Sequence, residues 1–472
     1  MKSFVRHKGT QVNLFLSLIL LVFSFGSVSA QTSYADLVTK VAPAVVTIRS
    51  TERARPAQQF PFMDDPSFRE FFGDRFPQQQ TPRRIQGVGS GVIVSPDGYI
   101  LTNHHVVDGA LEIKVELTDN RTFTAKLVGS DPPSDLAVLK IEDAKALPTL
   151  SLGDSDKVRV GDAVLAVGNP LGIGQTVTSG IVSAKGRTTG LSDGSFEDFL
   201  QTDAAINRGN SGGALVNTTG ELIGINSQIL SPSGGNIGIG FAIPSNMAKA
   251  VMDQLMKNGK VRRGMLGVTI QSVDSDLASS LNLPAARGAI VTSVTAGGPA
   301  DRAGIKRGDV ITAINKQPVV DNNGLRNLVA KMQPGSNVEV SALRNGRDQN
   351  FQVALAELPV REEPESEEAA STRGGTGNEK FGLTLQPLTP EMASRYGLDA
   401  DDQGLLVTKV DPASNAAGEG IRQGDLIQEV NRQPVKTFAE FNAAIGQSGT
   451  KPALVLIKRR NNVTYLTLKP GS

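Results

Sequence analysis

The sequence predicts a mainly β protein, in which a sandwich or a pair of barrels is followed by two copies of a smaller domain. Between Gly87 and about Ile243, short β-rich runs alternate with turn signals, among them Pro96-Asp97-Gly98 and Thr219-Gly220. The chain contains 50 Gly residues and only 5% aromatic residues, a composition that favours tight turns and short strands. Its 472 residues suffice for about two to four domains with separate cores.

The elements that flank this β-rich region are predicted from hydrophobic periodicity. Before it, a helix is expected from Tyr34 to Lys40, followed by a strand over the apolar run Ala42 to Ile48. After it, apolar residues at helical spacing predict a helix from Ser245 to about Asn258, with Ser245 as its N-cap. This helix is expected to close the first domain, at residues 31–258.

An internal repeat occupies the last third of the chain, with one copy beginning at Gly288 and the other at Gly404. Residues that recur at a displacement of 116 are Gly304, Gly308, Asp309, Asn315, Gln317 and Pro318, matched by Gly420, Gly424, Asp425, Asn431, Gln433 and Pro434. Two copies indicate two homologous domains in tandem. We expect them at residues 262–358 and 380–470, joined by a flexible linker at 359–379 that is acidic and then Gly-rich.

Residues 1–30 resemble a cleavable signal peptide. Arg6 and Lys8 form the basic start, Val12 to Phe25 the apolar stretch, and Val28-Ser29-Ala30 the cleavage site. The alternative is an uncleaved membrane anchor, but the apolar stretch is shorter than the about 20 residues that span a bilayer. An exported chain without Cys has no disulfides, thiol nucleophile or thiolate metal site.

Charge argues against nucleic-acid binding, because 48 Lys and Arg are balanced by 47 Asp and Glu. Two Gly-rich stretches, at 87–91 and 234–240, do not lie between a strand and a helix of a βαβ unit, so they are interpreted as strand glycines and not as phosphate loops. No His/Asp/Glu cluster has metal-ligand spacing. We therefore expect no metal and no cofactor.

Residues 51–86 are rich in Pro, Gln and Arg and yet contain six Phe residues. Three of them, Phe68, Phe71 and Phe72, would share one face of a short helical turn. We interpret the segment as a loop that docks elsewhere, with local self-packing as the alternative.

The run GNSGGAL, from Gly209 to Leu215, is the most informative local motif. A serine hydroxyl needs a base to become nucleophilic, and the oxyanion of acyl transfer needs two converging N–H donors. Glycines around Ser211 permit a sharp turn that aims the N–H groups of Gly209 and Ser211 at one point. The alternative is a plain Gly-rich hairpin.

The chain contains only three His residues, and His7 would be removed with the signal peptide. A histidine base for Ser211 must then be His104 or His105, between which residue patterns alone do not decide. The carboxylate that orients the base is expected at Asp135, just ahead of an apolar run, with Asp131 as the competitor and the better turn residue. The order His, Asp, Ser is that of chymotrypsin-type enzymes.

The motifs TNHHVV, SDLAVLKI and TDAAINRGNSGGALVN, together with the repeats AGIKRGDVI and GIRQGDLI, resemble those of the HtrA/DegP family of periplasmic serine endoproteases. The resemblance extends from about Ser33 to the C-terminus. It implies a trypsin-like double β-barrel protease domain followed by two PDZ domains, with His105, Asp135 and Ser211 as the catalytic residues. Gly209, Asn210 and Ser211 would form the oxyanion hole, and His104 would be a bystander.

The resemblance also implies roles for three loops. Ser183 to Ser195, with Arg187, resembles the loop that senses PDZ or substrate occupancy. The loop from Ile225 to Asn236 resembles the one that lines the specificity pocket, with Ile225, Asn226 and Ile229 as pocket residues, and the apolar Ile225 and Ile229 would favour small aliphatic side chains. The Phe-rich segment at 51–86 resembles the regulatory loop of the family, which blocks or bridges active sites.

A PDZ domain binds an extended C-terminal peptide at a sheet edge and holds its carboxylate with backbone N–H groups. The two carboxylate-binding loops would be Leu266-Gly267-Val268 and Phe381-Gly382-Leu383, where glycine permits a close backbone approach. The alternative for each is an ordinary strand start.

Together, these observations predict an ATP-independent serine endopeptidase that degrades unfolded or misfolded exported proteins in the periplasm. The resemblance further implies chaperone activity, binding of C-terminal peptides, homotrimers or multiples of trimers, and peripheral association with the membrane. The rival from another class is a PDZ-based chaperone or scaffold that retains an inactive protease fold. A second rival, an esterase of the cell envelope, would hydrolyse short acyl esters without proteolysis.

Overall fold

The computed structural model describes residues 33–52, 85–142, 144–169, 174–189, 195–207, 209–231, 235–359, 380–449 and 451–468. The predicted signal peptide, nearly all of the Phe-rich segment and all but the first residue of the predicted interdomain linker lie outside these ranges. Strands predominate over helices in the described residues, as the sequence predicts. The helices are α1 (Ala35–Val41), α2 (His104–Val107), α3 (Ser245–Asn258), α4 (Ser275–Ser280), α5 (Pro299–Arg302), α6 (Asn322–Ala330), α7 (Pro390–Tyr396), α8 (Asn415–Gly418) and α9 (Phe438–Gly446).

The first barrel closes in the strand order β1-β2-β3-β6-β5-β4. Its strands are β1 (Val45–Glu52), β2 (Ile85–Ile93), β3 (Tyr99–Thr102), β4 (Ala110–Glu116), β5 (Thr122–Asp131) and β6 (Leu136–Ile141). The predicted turn at Gly98 joins β2 to β3, and its φ of 95° is a conformation that suits glycine. The strand predicted from Ala42 begins later, at Val45, because Pro43 lies in a short 3₁₀ turn at Ala42–Ala44.

The second barrel closes in the order β10-β11-β12-β9-β8-β7. Its strands are β7 (Ala163–Gly168), β8 (Thr176–Arg187), β9 (Phe199–Thr202), β10 (Ala214–Asn217), β11 (Leu222–Ile229) and β12 (Gly240–Pro244). The predicted turn at Thr219-Gly220 joins β10 to β11, with Gly220 at a φ of 84°. Of the two architectures expected from the strand pattern, a sandwich or a pair of barrels, the structure has the pair of barrels.

Helix α3 has the predicted bounds but not the predicted cap. Its N-cap is Pro244, which has no side chain that can cap, and Ser245 is the first helical residue and is buried. Pro244 ends β12, so the strand leads directly into the helix. The helix ends at Asn258 and is capped by Gly259, whose left-handed φ of 70° is typical of a C-terminal glycine.

The two repeats fold into six-stranded antiparallel sheets with the same topology. The first contains β14 (Val268–Ser272), β15 (Ala289–Val294), β16 (Val310–Ile314), β17 (Gln317–Pro318), β18 (Asn337–Arg344) and β19 (Arg347–Ala354), and beside it β13 (Gly264–Met265) pairs with β20 (Ala356–Glu357). The second contains β21 (Leu383–Pro387), β22 (Leu405–Val410), β23 (Leu426–Val430), β24 (Gln433–Pro434), β25 (Ala453–Arg459) and β26 (Asn462–Leu468). The internal repeat thus corresponds to two domains of one fold.

One ion pair recurs in both repeats and explains why their Gly-Asp dipeptides recur. Asp309 is buried and accepts two hydrogen bonds of 2.7 Å from Arg344. Asp425, also buried, accepts hydrogen bonds of 2.6 and 2.8 Å from Arg459. In each domain the buried carboxylate therefore ties the loop before one strand to the end of another.

The two repeats share an apolar cluster. Val273, Leu277, Ala278, Ile290 and Val310 of the first domain pack with Leu454, Leu456 and Tyr465 of the second. At its edge, the Gln271 side-chain amide donates to the Tyr465 carbonyl oxygen and accepts from the Tyr465 N–H, both at 2.8 Å. The two domains therefore contact each other through a continuous buried surface.

Candidate active site

Ser211 lies in the turn that leads into β10. Gly209 and Gly212, on either side of it, have φ values of 93° and 82°, which residues with a Cβ rarely adopt. The N–H groups of Asn210, Gly212 and Gly213 donate to backbone carbonyl oxygens at 2.8 to 3.0 Å. Within the described ranges, no backbone hydrogen bond uses the N–H of Gly209 or Ser211, the two donors that the sequence predicts for an oxyanion.

The hydroxyl of Ser211 donates a hydrogen bond of 2.9 Å to the carbonyl oxygen of Ser227 in β11. The same strand supports the turn from behind, because the Asn226 carbonyl accepts from the Gly212 N–H at 2.8 Å and the Asn226 N–H donates to Gly213 at 2.9 Å. The nucleophile candidate is therefore half-buried on a backbone held by a barrel strand.

Helix α2 carries both candidate bases directly after β3. Its N-cap, Asn103, has no exposed surface. His105 is exposed, whereas His104 is half-buried. His104 places Nε2 3.8 Å from the carboxylate of Asp108, and its buried Nδ1 has no hydrogen-bond partner in the described part of the chain.

Asp131 and Asp135 occupy different environments. Asp131 is buried, accepts hydrogen bonds of 2.8 and 2.5 Å from the guanidinium of Arg263, and also accepts from the Ser134 N–H at 3.2 Å. Asp135 is half-buried, in a left-handed conformation with φ 53° and ψ 42°, immediately before β6. Asp tolerates this conformation better than most residues with a Cβ.

The structure corrects two of the loop predictions. Ser183 to Arg187 form the end of β8 and not a loop, because the hairpin partner β9 pairs with β8 as far as Arg187 and Phe199. Arg187 is exposed there, and residues 190–194 lie outside the described ranges.

Ile225 and Asn226 lie within β11 and have no exposed surface. Ile225 pairs with Ala214 across the barrel sheet, and the Asn226 amide donates to the Ala214 carbonyl at 3.0 Å. Neither side chain is therefore available to line an open pocket. Ile229, at the end of the strand, is half-buried, and its role in the pocket stays a prediction.

The predicted carboxylate loop of the first PDZ domain lies at one end of a cavity of about 330 Å³. Gly267 has a φ of 76°, and its carbonyl accepts from the Thr295 N–H at 2.9 Å. The cavity is lined by Met265, Leu266, Val268, Ile270, Leu325 and Val329, with Phe196 and Arg326 at its side. It is mainly apolar and runs between β14 and α6, where a peptide can extend the sheet.

The second loop has the same backbone form. Phe381 and Gly382 have φ values of 62° and 74°, Leu383 begins β21, and the Gly382 carbonyl accepts from the Asp411 N–H at 2.8 Å. An ideal Cβ on Gly382 would lie 2.3 Å from the Ser414 Cβ, so only glycine fits this turn. The side chain of Phe381 packs on the core of its domain.

Sequence reasoning missed the contacts between the segment before β9 and the first PDZ domain. The carbonyl of Glu197 accepts from the side-chain amides of Asn323 and Asn327 at 2.9 and 2.7 Å, and the ring of Phe196 lies 4.4 Å from the guanidinium carbon of Arg263. In the sequence, only the two Asn residues of the groove-lining helix α6 hint at a polar contact there. They do not identify a partner that lies more than a hundred residues away.

In the residues that the structure describes, no cluster of three or more His, Cys, Asp or Glu has the arrangement of a metal site. Likewise, no helix of the described residues is both long and apolar enough to cross a bilayer.

Three family models match the chain. A trypsin-like peptidase domain matches residues 89–225, and PDZ domains match residues 264–355 and 371–457. Fold and matches together define a trypsin-like peptidase that carries two PDZ domains.

Full-length relatives are more specific. The chain is 43% identical to a probable periplasmic serine endoprotease DegP-like of Chlamydia trachomatis, covering 92% of this chain and 86% of that protein. It is 42% identical to a probable periplasmic serine protease do/HhoA-like of Haemophilus influenzae, over 93% and 92% of the two chains. This chain therefore belongs to the HtrA/DegP family and is a serine endopeptidase.

Solved structures agree. The HtrA-type protease AlgW with decapeptide is 49% identical, with a TM-score of 0.56, and the match covers 70% of this chain and all of that one. AlgW with tripeptide is 46% identical, with a TM-score of 0.58 over 70% of this chain and 98% of that one. The mainly β fold with a double barrel and PDZ domains is thus confirmed.

Proposed function

We propose that Ser211 attacks the peptide carbonyl, that His105 is the general base and that Asp135 orients His105. The turn at Gly209 to Ser211 supports this proposal, because it presents a serine on a glycine-flanked backbone whose Gly209 and Ser211 N–H groups make no backbone hydrogen bond within the described residues. Ser211 releases its hydrogen bond to Ser227 when the base takes its proton.

Each alternative residue has an observation against it. Asp131 is already held by Arg263 and Ser134, so orienting a histidine would break a buried ion pair. His104 is half-buried beside Asp108, whereas His105 on the same helical turn is exposed to a substrate. The order His105, Asp135, Ser211 is that of chymotrypsin-type enzymes.

Replacement of the three residues tests the mechanism. Ser211→Ala should lower kcat on reduced casein on the order of 10⁶-fold and abolish labelling by a fluorophosphonate. His105→Ala should be similarly inactive, with His104→Ala as its matched control at near wild-type activity. Wild-type cleavage of casein by Ser211→Ala would refute the assignment. An inactive His104→Ala beside an active His105→Ala would show that His104 is the general base.

We also propose that the substrates are unfolded or misfolded exported polypeptides and that the first PDZ groove binds their C-terminal segments. The apolar cavity beside Gly267 supports binding of an extended peptide, and the similar HtrA-type protease AlgW has been solved with a decapeptide and with a tripeptide. Binding of a labelled apolar decapeptide should be lost on Leu266→Glu and kept on Leu383→Glu if the first domain is the main site. The reverse pattern would assign binding to the second loop.

Export, chaperone activity and assembly complete the proposal. The named periplasmic relatives and the signal-like residues 1–30 support a periplasmic protein that is released by cleavage and contacts membranes only peripherally. The Ser211→Ala protein should still suppress aggregation of a denatured substrate, which separates chaperone activity from cleavage. Light scattering should give a trimer or a multiple of it, and a monomer with and without substrate would refute this.

A further inference from the structure

Ser90, in strand β2, makes a complete set of hydrogen bonds although it has no exposed surface. Its N–H donates to the Ser211 carbonyl at 2.8 Å, and its own carbonyl accepts from the Thr102 hydroxyl at 2.7 Å. Its hydroxyl donates to the Gly209 carbonyl at 2.6 Å and accepts from the Asn169 N–H at 2.9 Å. One buried residue therefore contacts both ends of the nucleophile turn.

The direction of the hydroxyl hydrogen bond follows from its partners. A backbone N–H only donates, so the Ser90 oxygen must accept from Asn169. The single hydroxyl proton is then left for the Gly209 carbonyl, which only accepts. Asn169 is held in turn, because its side-chain amide donates to the Thr47 hydroxyl at 2.5 Å and accepts from the Gly174 N–H at 3.0 Å.

Planarity of the peptide bond converts these contacts into an orientation of the turn. The bond to the Gly209 carbonyl fixes the plane of the peptide between Gly209 and Asn210. The bond to the Ser211 carbonyl fixes the plane of the peptide that follows Ser211. The N–H of Ser211 belongs to the peptide between these two planes, so its direction is limited on both sides.

The conformation of the turn depends on hydrogen bonds from outside it, because Gly209 has no side chain that restricts its backbone. At a φ of 93° it occupies a region that glycine enters and leaves with small steric cost. A rotation about the backbone bonds of Gly209 would redirect its N–H, which is one of the two predicted oxyanion donors, at little steric cost to a residue without a Cβ. The only side-chain hydrogen bond to this carbonyl among the described residues comes from Ser90.

We propose that Ser90 is a positioning residue for the oxyanion site: by holding the carbonyl groups of Gly209 and Ser211, it fixes the backbone from which the N–H groups of Gly209 and Ser211 point at the developing negative charge. This inference rests on the proposed role of Ser211. Ser90 itself touches neither substrate nor the reacting atoms, and it acts through the backbone of Gly209 and Ser211. Its loss should therefore affect the transition state more than the bound substrate.

The test compares Ser90→Ala with a matched control on the neighbouring strand. Ser50 is also a buried serine of the first barrel, and its hydroxyl has no hydrogen-bond partner in the described residues. Steady-state kinetics would use a fluorogenic peptide taken from a mapped casein cleavage site. Binding of a peptidyl trifluoromethyl ketone, which forms a tetrahedral oxyanion adduct with a serine, would be measured alongside.

Because loss of a direct oxyanion donor costs about 10²–10³ in kcat, Ser90→Ala should lower kcat about ten- to a hundredfold with KM within about twofold. Affinity for the ketone should fall by the same factor, and Ser50→Ala should keep wild-type kcat and ketone affinity. A merely structural role would instead lower the melting temperature with unchanged kcat below the transition.

If Ser90→Ala does not fold, the second variant is Ser90→Cys, because it replaces only the oxygen by a larger sulfur atom and its thiol donates only weakly. A reduced kcat at unchanged KM in that variant supports the proposal, and a wild-type kcat overturns it. The two proposals fail separately. Wild-type cleavage by Ser211→Ala would refute the catalytic assignment, whereas an inactive Ser211→Ala beside a fully active Ser90→Ala refutes only the role of Ser90.

Discussion

Arg263 and Asp131 form a bidentate ion pair in which less than a tenth of either side chain is exposed. Breaking a buried pair by removing one partner typically costs about 3–5 kcal/mol, because the other charge stays buried and unpaired. We expect Arg263→Met to lower the free energy of unfolding by about that amount in urea titrations.

The neighbouring Arg262 provides a matched control. It pairs with Glu357 at 2.6 Å, but both side chains are about half exposed, and such surface pairs contribute about 0–1 kcal/mol. Arg262→Met should therefore change the unfolding free energy by less than about 1 kcal/mol. Equal effects of the two substitutions would contradict the importance of burial at Asp131.

The contact between Glu197 and helix α6 predicts an effect on regulation. Asn323 and Asn327 donate to the Glu197 carbonyl from the helix that lines the peptide groove. The double change to Ala should alter the stimulation of casein cleavage by an apolar C-terminal peptide at least threefold, because the groove loses its hydrogen bonds to the segment before β9.

An exposed ion pair at the same junction is the control for this double variant. Lys331 lies 3.4 Å from Asp198 and is more than half exposed, so Lys331→Ala should leave peptide stimulation unchanged. Identical peptide dose–response curves for the double variant and the wild type would show that these amides carry no signal.

The repeated ion pairs predict parallel losses of stability in the two PDZ domains. Arg344→Met and Arg459→Met each leave a buried aspartate without its guanidinium, at an expected cost of about 2 kcal/mol, since each arginine is itself partly exposed. Lysine should not rescue either site, because it lacks the planar fork that binds both carboxylate oxygens. Denaturant titrations that show Lys equal to Arg would overturn this account.

Tyr465 predicts a pH dependence. Burial, with the nearby charge of Glu429, raises the pKa of its phenol from 10.0 to about 12. A raised folded-state pKa means that the contribution to stability is complete below about pH 10 and is lost as the pH rises to about 12, to a limit of about 3 kcal/mol.

Tyr465→Phe should remove that part of the alkaline loss. The difference in unfolding free energy between wild type and variant should change between pH 10 and pH 12 and stay constant from pH 7 to pH 9. Tyr396→Phe, at a half-buried position of the same domain, controls for the loss of a hydroxyl. A constant difference across the whole range would exclude a role for Tyr465 ionisation.

Local rules predicted the turns and the repeats well. The hairpin glycines Gly98 and Gly220 both adopt the positive φ that their turns require, so the residue type alone marks the turn. The glycines of GVGSG lie in β2, where a Cβ on Gly91 would be 2.8 Å from Ile48 and Ile100. These features depend on neighbours in sequence or on steric limits of one residue.

Contacts between distant segments were not predictable from the sequence. Nothing near Ser90 or Arg263 marks the partners at 209 or 131, because these contacts exist only after the barrels close. Ile225 illustrates the opposite error, since an apolar residue near a predicted pocket proved to be part of a barrel interior. The cap of α3 was misplaced because Pro244 already ends β12 and starts the helix.

The apolar cluster around Tyr465 has a consequence for how this protein can be dissected. Cutting the chain at the acidic linker would expose Leu277, Ile290 and Val310 on one fragment and Leu456 and Tyr465 on the other. Each isolated domain would expose an apolar patch that is buried in the intact chain. Fragments made in this way would self-associate through the newly exposed patches. The two PDZ domains together are therefore the smallest unit that can be studied apart from the protease domain.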